Sequence, residues 1–265
     1  FYNPKHASEI ISQEETDKAD AFCEEYKNFL NKAKTEREAV VYVLEKAKKN
    51  GFVEFDRAKK YNAGDKVYYN NRGKSIILAV IGKKGLENGT RLSAAHIDSP
   101  RLDMKQNPLY EDTEIAYFKT HYYGGVKKYQ WTAIPLSLHG VVVKRDGTKA
   151  YVNVGENDND PKFVVTDLLP HLAAEQMKRT LADGIRGEEL NILIGSRPFK
   201  DDEASEKVKL NIMNILFEKY GIIVKGKGAV ISYAVAPRKL GLHNKRTCGN
   251  LQGRNRQHKL LYQRA

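Results

Sequence analysis

The sequence predicts a layered α/β domain with a mostly β module inserted into it. Two amphipathic helical stretches fill the first 50 residues, and strands with apolar side chains on both faces follow. Helices placed ahead of a sheet of buried strands make a layered α/β architecture. From about residue 104 to 203 the texture changes to short runs of Tyr, Val, Gly and Thr between polar turns, which is the pattern of a separate β module.

The first helix is expected over Glu14–Leu30, where Ala19, Phe22, Cys23, Tyr26, Phe29 and Leu30 recur at helical spacing. Thr35 and Glu38 have capping-box spacing and open a second helix. That helix carries Val40, Val41, Val43, Leu44 and Ala47 and stops at Gly51. Both apolar stripes read as core. A hairpin follows, with strands at Lys66–Tyr69 and Ser75–Gly82 around the turn Asn70-Asn71-Arg72-Gly73. Its second strand is apolar on both faces, as expected of a strand covered on both sides. Arg91–Ile97 is predicted as the next strand, ended by Ser99-Pro100.

Within the β module, strands are expected at Ile115–Tyr123, Leu136–Lys144 and Lys149–Val154, the last two joined by a tight turn at Asp146-Gly147. One helix is predicted from Thr166 to about Leu181, with Pro170 tolerated in its first turn. A further amphipathic helix spans roughly Ala204–Tyr220, with Val208, Ile212, Ile215 and Leu216 on one face and Gly221 at its end. Gly228–Val235 has the character of a strand.

Charge divides the chain. The net charge is +12, yet the last 47 residues hold 11 Lys and Arg and no Asp or Glu. Almost all of the excess therefore sits beyond Glu218, and such a shift marks a boundary. The two cysteines, Cys23 and Cys248, give neither a disulfide framework nor a zinc clip. No apolar run reaches the length of a membrane span, and Phe1–Glu15 has no signal-peptide core. These features predict a soluble, cytoplasmic protein with no membrane partner.

The segment richest in chemistry is Ala95-His96-Ile97-Asp98-Ser99-Pro100. Alternation along a strand points His96 and Asp98 to the same side, at the strand exit where open α/β sheets place their chemistry. A histidine there can bind zinc, and a neighbouring carboxylate can orient its ring. The same tripeptide also serves as a plain turn cap.

Several separated segments, in order, resemble the M18 metallo-aminopeptidases, the aspartyl aminopeptidase and aminopeptidase I group. They are Phe22-Cys23 with Tyr26-Lys27-Asn28-Phe29-Leu30, Lys34-Thr35-Glu36-Arg37-Glu38, Ala95 to Pro100, and Tyr123-Gly124-Gly125 with Trp131. Pro135-Leu136 with Gly140-Val141-Val142, and Asp167-Leu168-Leu169-Pro170-His171-Leu172, complete the set. The resemblance covers about residues 1–223. It implies an α/β/α zinc-peptidase catalytic domain, here incomplete, with an inserted mostly β dimerisation domain. It also implies dimer-based homo-oligomers as large as dodecamers, peptide substrates, and removal of N-terminal, often acidic, residues. Two zinc ions per active site are implied, polarising the scissile carbonyl and acidifying a bridging water. By the same resemblance His96 is a zinc ligand and Asp98 the catalytic aspartate that orients the chemistry. His171 then belongs to substrate binding, reaching a neighbouring subunit's site. A helix-start histidine packed on its own domain is the alternative for His171.

On this basis residues 1–103 are the N-terminal part of the catalytic domain, 104–203 the inserted domain and 204–223 a helix returning to the catalytic domain. Residues 224–265 form a basic tail. The family's downstream metal residues have no match here. Asp201-Asp202 is followed by Glu203 where Arg is expected, Glu188-Glu189 is preceded by Gly187 where His is expected, and His243 and His258 lie among basic residues. A zinc site needs about three protein ligands and an open position, and His96 is the one convincing ligand. The loss of acids after Glu218 and the loss of resemblance near residue 223 predict a departure of reading frame there. The chain is accordingly expected to be truncated and inactive alone. Two other readings stand beside the peptidase: a non-catalytic oligomerisation module, and anion or nucleic-acid binding through the tail. The tail's scattered Tyr233 and Tyr262 make a poor stacking platform for nucleic acid.

Overall fold

The computed structural model describes residues 3–144, 146–200 and 205–221, together with the backbone of a strand at Val230–Pro237. Helices and sheets are mixed, as an α/β chain requires. The described residues separate into two compact units, one ending at Asp98 and the other beginning at Ser99.

In the first unit, α1 (Gln13–Lys32) and α2 (Glu36–Lys49) each start at a capping box, on Ser12 with Glu15 and on Thr35 with Glu38. The Glu38 N–H donates to Thr35 Oγ1 at 3.3 Å, and the Thr35 N–H donates to Glu38 Oε2 at 3.0 Å. Thr35 is buried, so Thr35→Ala is expected to lower the melting free energy of this unit by about 1–2 kcal/mol. Thermal unfolding followed by circular dichroism at 222 nm measures it. Asn50 closes α2, and Gly51 takes φ +81°, a left-handed conformation that glycine adopts without strain. Phe29 of α1 meets Tyr42 of α2 edge to face at 5.2 Å between ring centres. Lys46 pairs with Glu25 across the two helices, and that hydrogen bond raises the Lys46 ammonium above its ordinary pKa.

The sheet of this unit has the order β1-β2-β3, with β1 at Val53–Glu54, β2 at Lys66–Asn71 and β3 at Ser75–Val80. The β2–β3 hairpin is antiparallel, as the sequence predicts, and the Gly73 N–H donates to Asn70 Oδ1 at 2.8 Å to close its turn. Arg37 of α2 donates to the Arg72 carbonyl in the same turn.

Three expectations are corrected here. β3 is not covered on both sides: Ile77 is 62% and Val80 59% exposed. Arg91–Ile97 forms no strand, and Leu92 in it is 89% exposed. A strand needs a neighbour to pair its N–H and C=O groups, and none of the described residues pairs with this segment. The apolar stripe of α1 is likewise incomplete as core, since the helix has no buried residue and Phe22 is largely exposed.

The second unit is built on a seven-stranded sheet. Its strands are β4 (Arg101–Asp112), β5 (Ile115–Tyr123), β6 (Leu136–Val143), β7 (Lys149–Val154), β8 (Val164–Val165), β9 (Ile192–Gly195) and β10 (Val230–Pro237). The spatial order is β7-β6-β10-β4-β5-β9-β8, antiparallel throughout. The three strands predicted in this region are present. β4 and β5 meet in a two-residue turn, where Thr113 and Glu114 both take positive φ, as twist-matched hairpin turns require. β10 meets the strand expectation at Gly228–Val235 and lies between β6 and β4. The core gathers Leu102, Phe118, Trp131, Leu136, Leu190 and Ile192 with their neighbours.

The predicted helix from Thr166 to Leu181 shrinks to α3 (Ala174–Met177) within a run of turns. Leu168, Leu169, Leu172, Met177 and Leu181 are all exposed. Short helices are held by packing of an apolar face, and this face has no such cover among the described residues. α4 (Lys207–Tyr220) begins three residues later than expected and ends on Gly221 in the left-handed region. Only Val208 of its apolar face is fully buried, and Ile215 is exposed. α4 packs on β4 and β5 within the second unit.

Candidate functional site

His96 and Asp98 come together, although no strand carries them. His96 Nδ1 lies 3.0 Å from Asp98 Oδ1 and 3.0 Å from the Asp98 carbonyl oxygen. Both of those atoms are acceptors, so Nδ1 carries the hydrogen. In the neutral ring Nε2 is then the nitrogen with the lone pair. A carboxylate that fixes the tautomer and aims the ring is the usual companion of a metal-binding histidine. The i, i+2 spacing produces the contact in an extended loop much as it would in a strand. Both side chains are partly open to solvent, so a ligand can reach them. Pro100 follows within two residues and restricts the backbone at the end of the loop.

The donor chemistry fits part of a zinc site. Among the described residues no group of three His, Cys, Asp or Glu side chains converges as a metal would require. These residues thus offer one imidazole and its orienting carboxylate, short of a closed ligand set. Asp201-Asp202, His243 and His258 lie outside the described residues, as does the basic tail apart from the backbone of β10.

The Glu188-Glu189 pair is engaged elsewhere. It sits in a short 3-10 turn of the second unit. The Lys105 ammonium, hydrogen-bonded to Glu188, holds its carboxyl below the ordinary range. Burial pushes Glu189 up, but the Arg186 N–H at 2.8 Å and the Arg179 guanidinium at 3.0 Å outweigh it and keep the carboxyl low. Carboxylates pinned by cations in this way are poor general bases. His171 is exposed on the turn Pro170–Leu172 that precedes α3.

One polar cluster had no clear sequence signal. Ser137 and His139 lie on the same face of β6 and are almost fully buried. Ser137 Oγ donates to Glu156 Oε1 at 2.6 Å, and His139 Nε2 lies 3.0 Å from the same carboxylate oxygen and 2.9 Å from Ser137 Oγ. A nucleophilic triad needs the imidazole to bridge serine and acid through its two different nitrogens. Here one nitrogen meets both, so the cluster is a buried polar knot that ties β6 to the loop after β7. The close approach needs Gly155 (φ +108°), where a Cβ would sit 3.1 Å from Ser137 Cα.

With this geometry in hand, the relatives decide the family. Residues 29–229 match the family model described as aminopeptidase I zinc metalloprotease (M18). The chain belongs to the M18 family. A probable M18 family aminopeptidase 1 of Clostridium acetobutylicum is 54% identical over 206 residues, covering 76% of this chain and 44% of the relative. The crystal structure of an M18 aminopeptidase from Thermotoga maritima superposes with a TM-score of 0.80 at 40% identity, over 91% of this chain and 53% of that one. A structure described as an mApe1 dodecamer from S. cerevisiae shares the fold alone, with a TM-score of 0.56 at 17% identity over 82% of this chain and 48% of that one. The chain spans about half the length of the curated M18 relatives it matches. The family is one of zinc metalloproteases. Among the described residues no helix is long and apolar enough to cross a membrane.

Proposed function

We propose that this chain is the N-terminal half of a zinc-dependent aminopeptidase that removes N-terminal, preferentially acidic, residues from peptides. The observation that carries the reading is the His96–Asp98 pair, inside the segment matched by the M18 family. In this role His96 presents Nε2 to a metal while Asp98 holds Nδ1–H and fixes the ring. His171, exposed on its turn, is the substrate-binding residue that reaches a neighbouring subunit's site. The remaining donors of a two-zinc centre and its general base come from the half of the M18 sequence that this chain does not match.

The same reading makes residues 104–203 the inserted dimerisation domain of a cytoplasmic homo-oligomer built from dimers. The exposed Leu168, Leu169 and Leu172 beside His171 support assembly, since a cluster of large apolar side chains marks an interaction surface. The chain alone is expected to be inactive, because one ligand does not hold a catalytic metal.

A chimera tests this. Residues 1–223 replace the matching half of the Clostridium acetobutylicum relative, and hydrolysis of aminoacyl p-nitroanilides is followed with and without a chelator. The expected result is chelator-sensitive activity in the chimera and none in the chain alone. A soluble, folded chimera without activity overturns the reading.

A further inference from the structure

The basic groups around Glu188 outnumber it. Lys119 and His121 are two residues apart on β5, so alternation turns them to one face, and both are exposed. Lys119 Nζ lies 5.1 Å from the centre of the Tyr110 ring, a cation–π contact that holds it on the sheet. Asp103 of β4 stands opposite His121 in register, but Arg101 Nε donates to its Oδ1 at 2.7 Å and answers its charge. Two residues further along β4, the Lys105 ammonium donates to Glu188 Oε2 at 2.5 Å. Lys105 first, with Lys119 and His121 behind it, holds the Glu188 carboxyl below its ordinary range. Three basic side chains from two strands thus act on a single carboxylate.

That carboxylate is loosely held on a firmly held turn. The Glu188 side chain is 82% exposed, and an exposed ion pair is worth little against water. The backbone beneath it is fixed by its neighbours. Leu190 is fully buried, and its carbonyl accepts from Thr120 Oγ1. Arg179 and the Arg186 N–H hold Glu189, and Asn191 Nδ2 donates to the Glu188 carbonyl at 3.0 Å. The Glu188 side chain can therefore swing out while the turn stays in place, which opens the basic groups to a ligand.

We propose that Lys105, Lys119 and His121 form a carboxylate-binding site for an acidic side chain of a bound peptide, with Glu188 as its built-in, displaceable occupant. The ligand class follows from the present occupant, which is a side-chain carboxylate carried on a peptide backbone. Lysine ammoniums are compact point charges on flexible stems, so two of them can follow a carboxylate whose position differs from that of Glu188. Glu188 gates the site: a ligand enters only by competing with it. The inference goes beyond the peptidase reading and does not depend on it, since the site uses none of the residues assigned to the metal or to catalysis.

The test uses the full chain and a fluorescein-labelled pentaglutamate peptide, followed by fluorescence anisotropy at low salt. Glu188→Gln vacates the site and should tighten binding about two- to fivefold, the range that an exposed ion pair can oppose. Lys105→Ala with Lys119→Ala should weaken it about fivefold or more. Lys119→Gln alone, at an exposed position, should weaken it in the same direction and serves if the double variant fails to fold. Glu175→Gln removes a carboxylate that is also 82% exposed and paired with Lys178, and should change nothing. A water-soluble carbodiimide, which joins a carboxylate to an amine in contact with it, gives a readout by position in mass spectrometry. The Lys105–Glu188 link should fade as peptide is added, and links from the peptide to Lys105 or Lys119 should replace it. Three results overturn the proposal. The first is anisotropy that the Glu188 and lysine variants leave unchanged, which is also how binding by the basic residues beyond Glu218 would show. The second is a Lys105–Glu188 link that persists at saturating peptide. The third is displacement of the peptide by inorganic phosphate at matched charge, which would make the site one for any small anion.

Discussion

Leu136→Ala is expected to lower the stability of the second unit by about 2–5 kcal/mol. Leu136 is fully buried at the start of β6, and its N–H donates to the Phe163 carbonyl at 2.8 Å. Its side chain belongs to the cluster that holds Phe118, Trp131, Phe163, Val165 and Ile192 together. Truncation removes transfer energy and leaves a cavity that the surrounding strands cannot close, since they are fixed by their ladders. Urea unfolding of the full chain measures the loss. Tyr151→Ala, on β7 and 68% exposed, should stay within about 0.5 kcal/mol of the parent and serves as the comparison.

The second large effect concerns the site. In the chimera, Asp98→Asn is expected to lower kcat/KM about 10–100-fold, the usual cost of losing a carboxylate that orients a metal-bound imidazole. Asparagine can still accept from Nδ1–H, so the ring stays in place but loses the negative charge that raises its basicity. Added zinc should restore part of the activity by mass action. His96→Ala removes the donor itself, so its activity should fall below that of Asp98→Asn and added zinc should not restore it. Steady-state kinetics at several zinc concentrations separate the two outcomes.

Local signals in the sequence were read well, and non-local ones were not. Thr35 with Glu38 announces a helix start because both halves of the capping box lie within one turn. The β2–β3 and β6–β7 hairpins are equally local, since Asn70-Asn71-Arg72-Gly73 and Asp146-Gly147 set their own turns. The Arg91–Ile97 strand failed for the opposite reason. Its apolar pattern says that it could be a strand, but a strand exists only where another supplies the ladder. β3 misled in the same way: Ile77 and Val80 state a preference for burial, and the covering layer is a tertiary fact. The helix expected from Thr166 has the right residues at its start, yet Leu168, Leu172 and Met177 find no surface to pack on among the described residues.

The site divides along the same line. His96 and Asp98 were legible because a separation of two residues brings them together in any extended chain. Ser137, His139 and Glu156 were not, because their meeting depends on the β6–β7 register that sets Leu138 opposite Val154. Glu188 and Glu189 could be set aside from sequence for want of a preceding histidine. The structure adds the physical reason, which is that Lys105 and Arg179 already engage them.

The central claim is that His96 is a zinc ligand, and metal content tests it most directly. The wild-type chimera and its His96→Ala variant are dialysed against the same zinc buffer, and zinc per folded chain is measured by atomic absorption. The account predicts that the variant loses about one equivalent of zinc while its circular dichroism spectrum is unchanged. Equal zinc in the two folded proteins would contradict it.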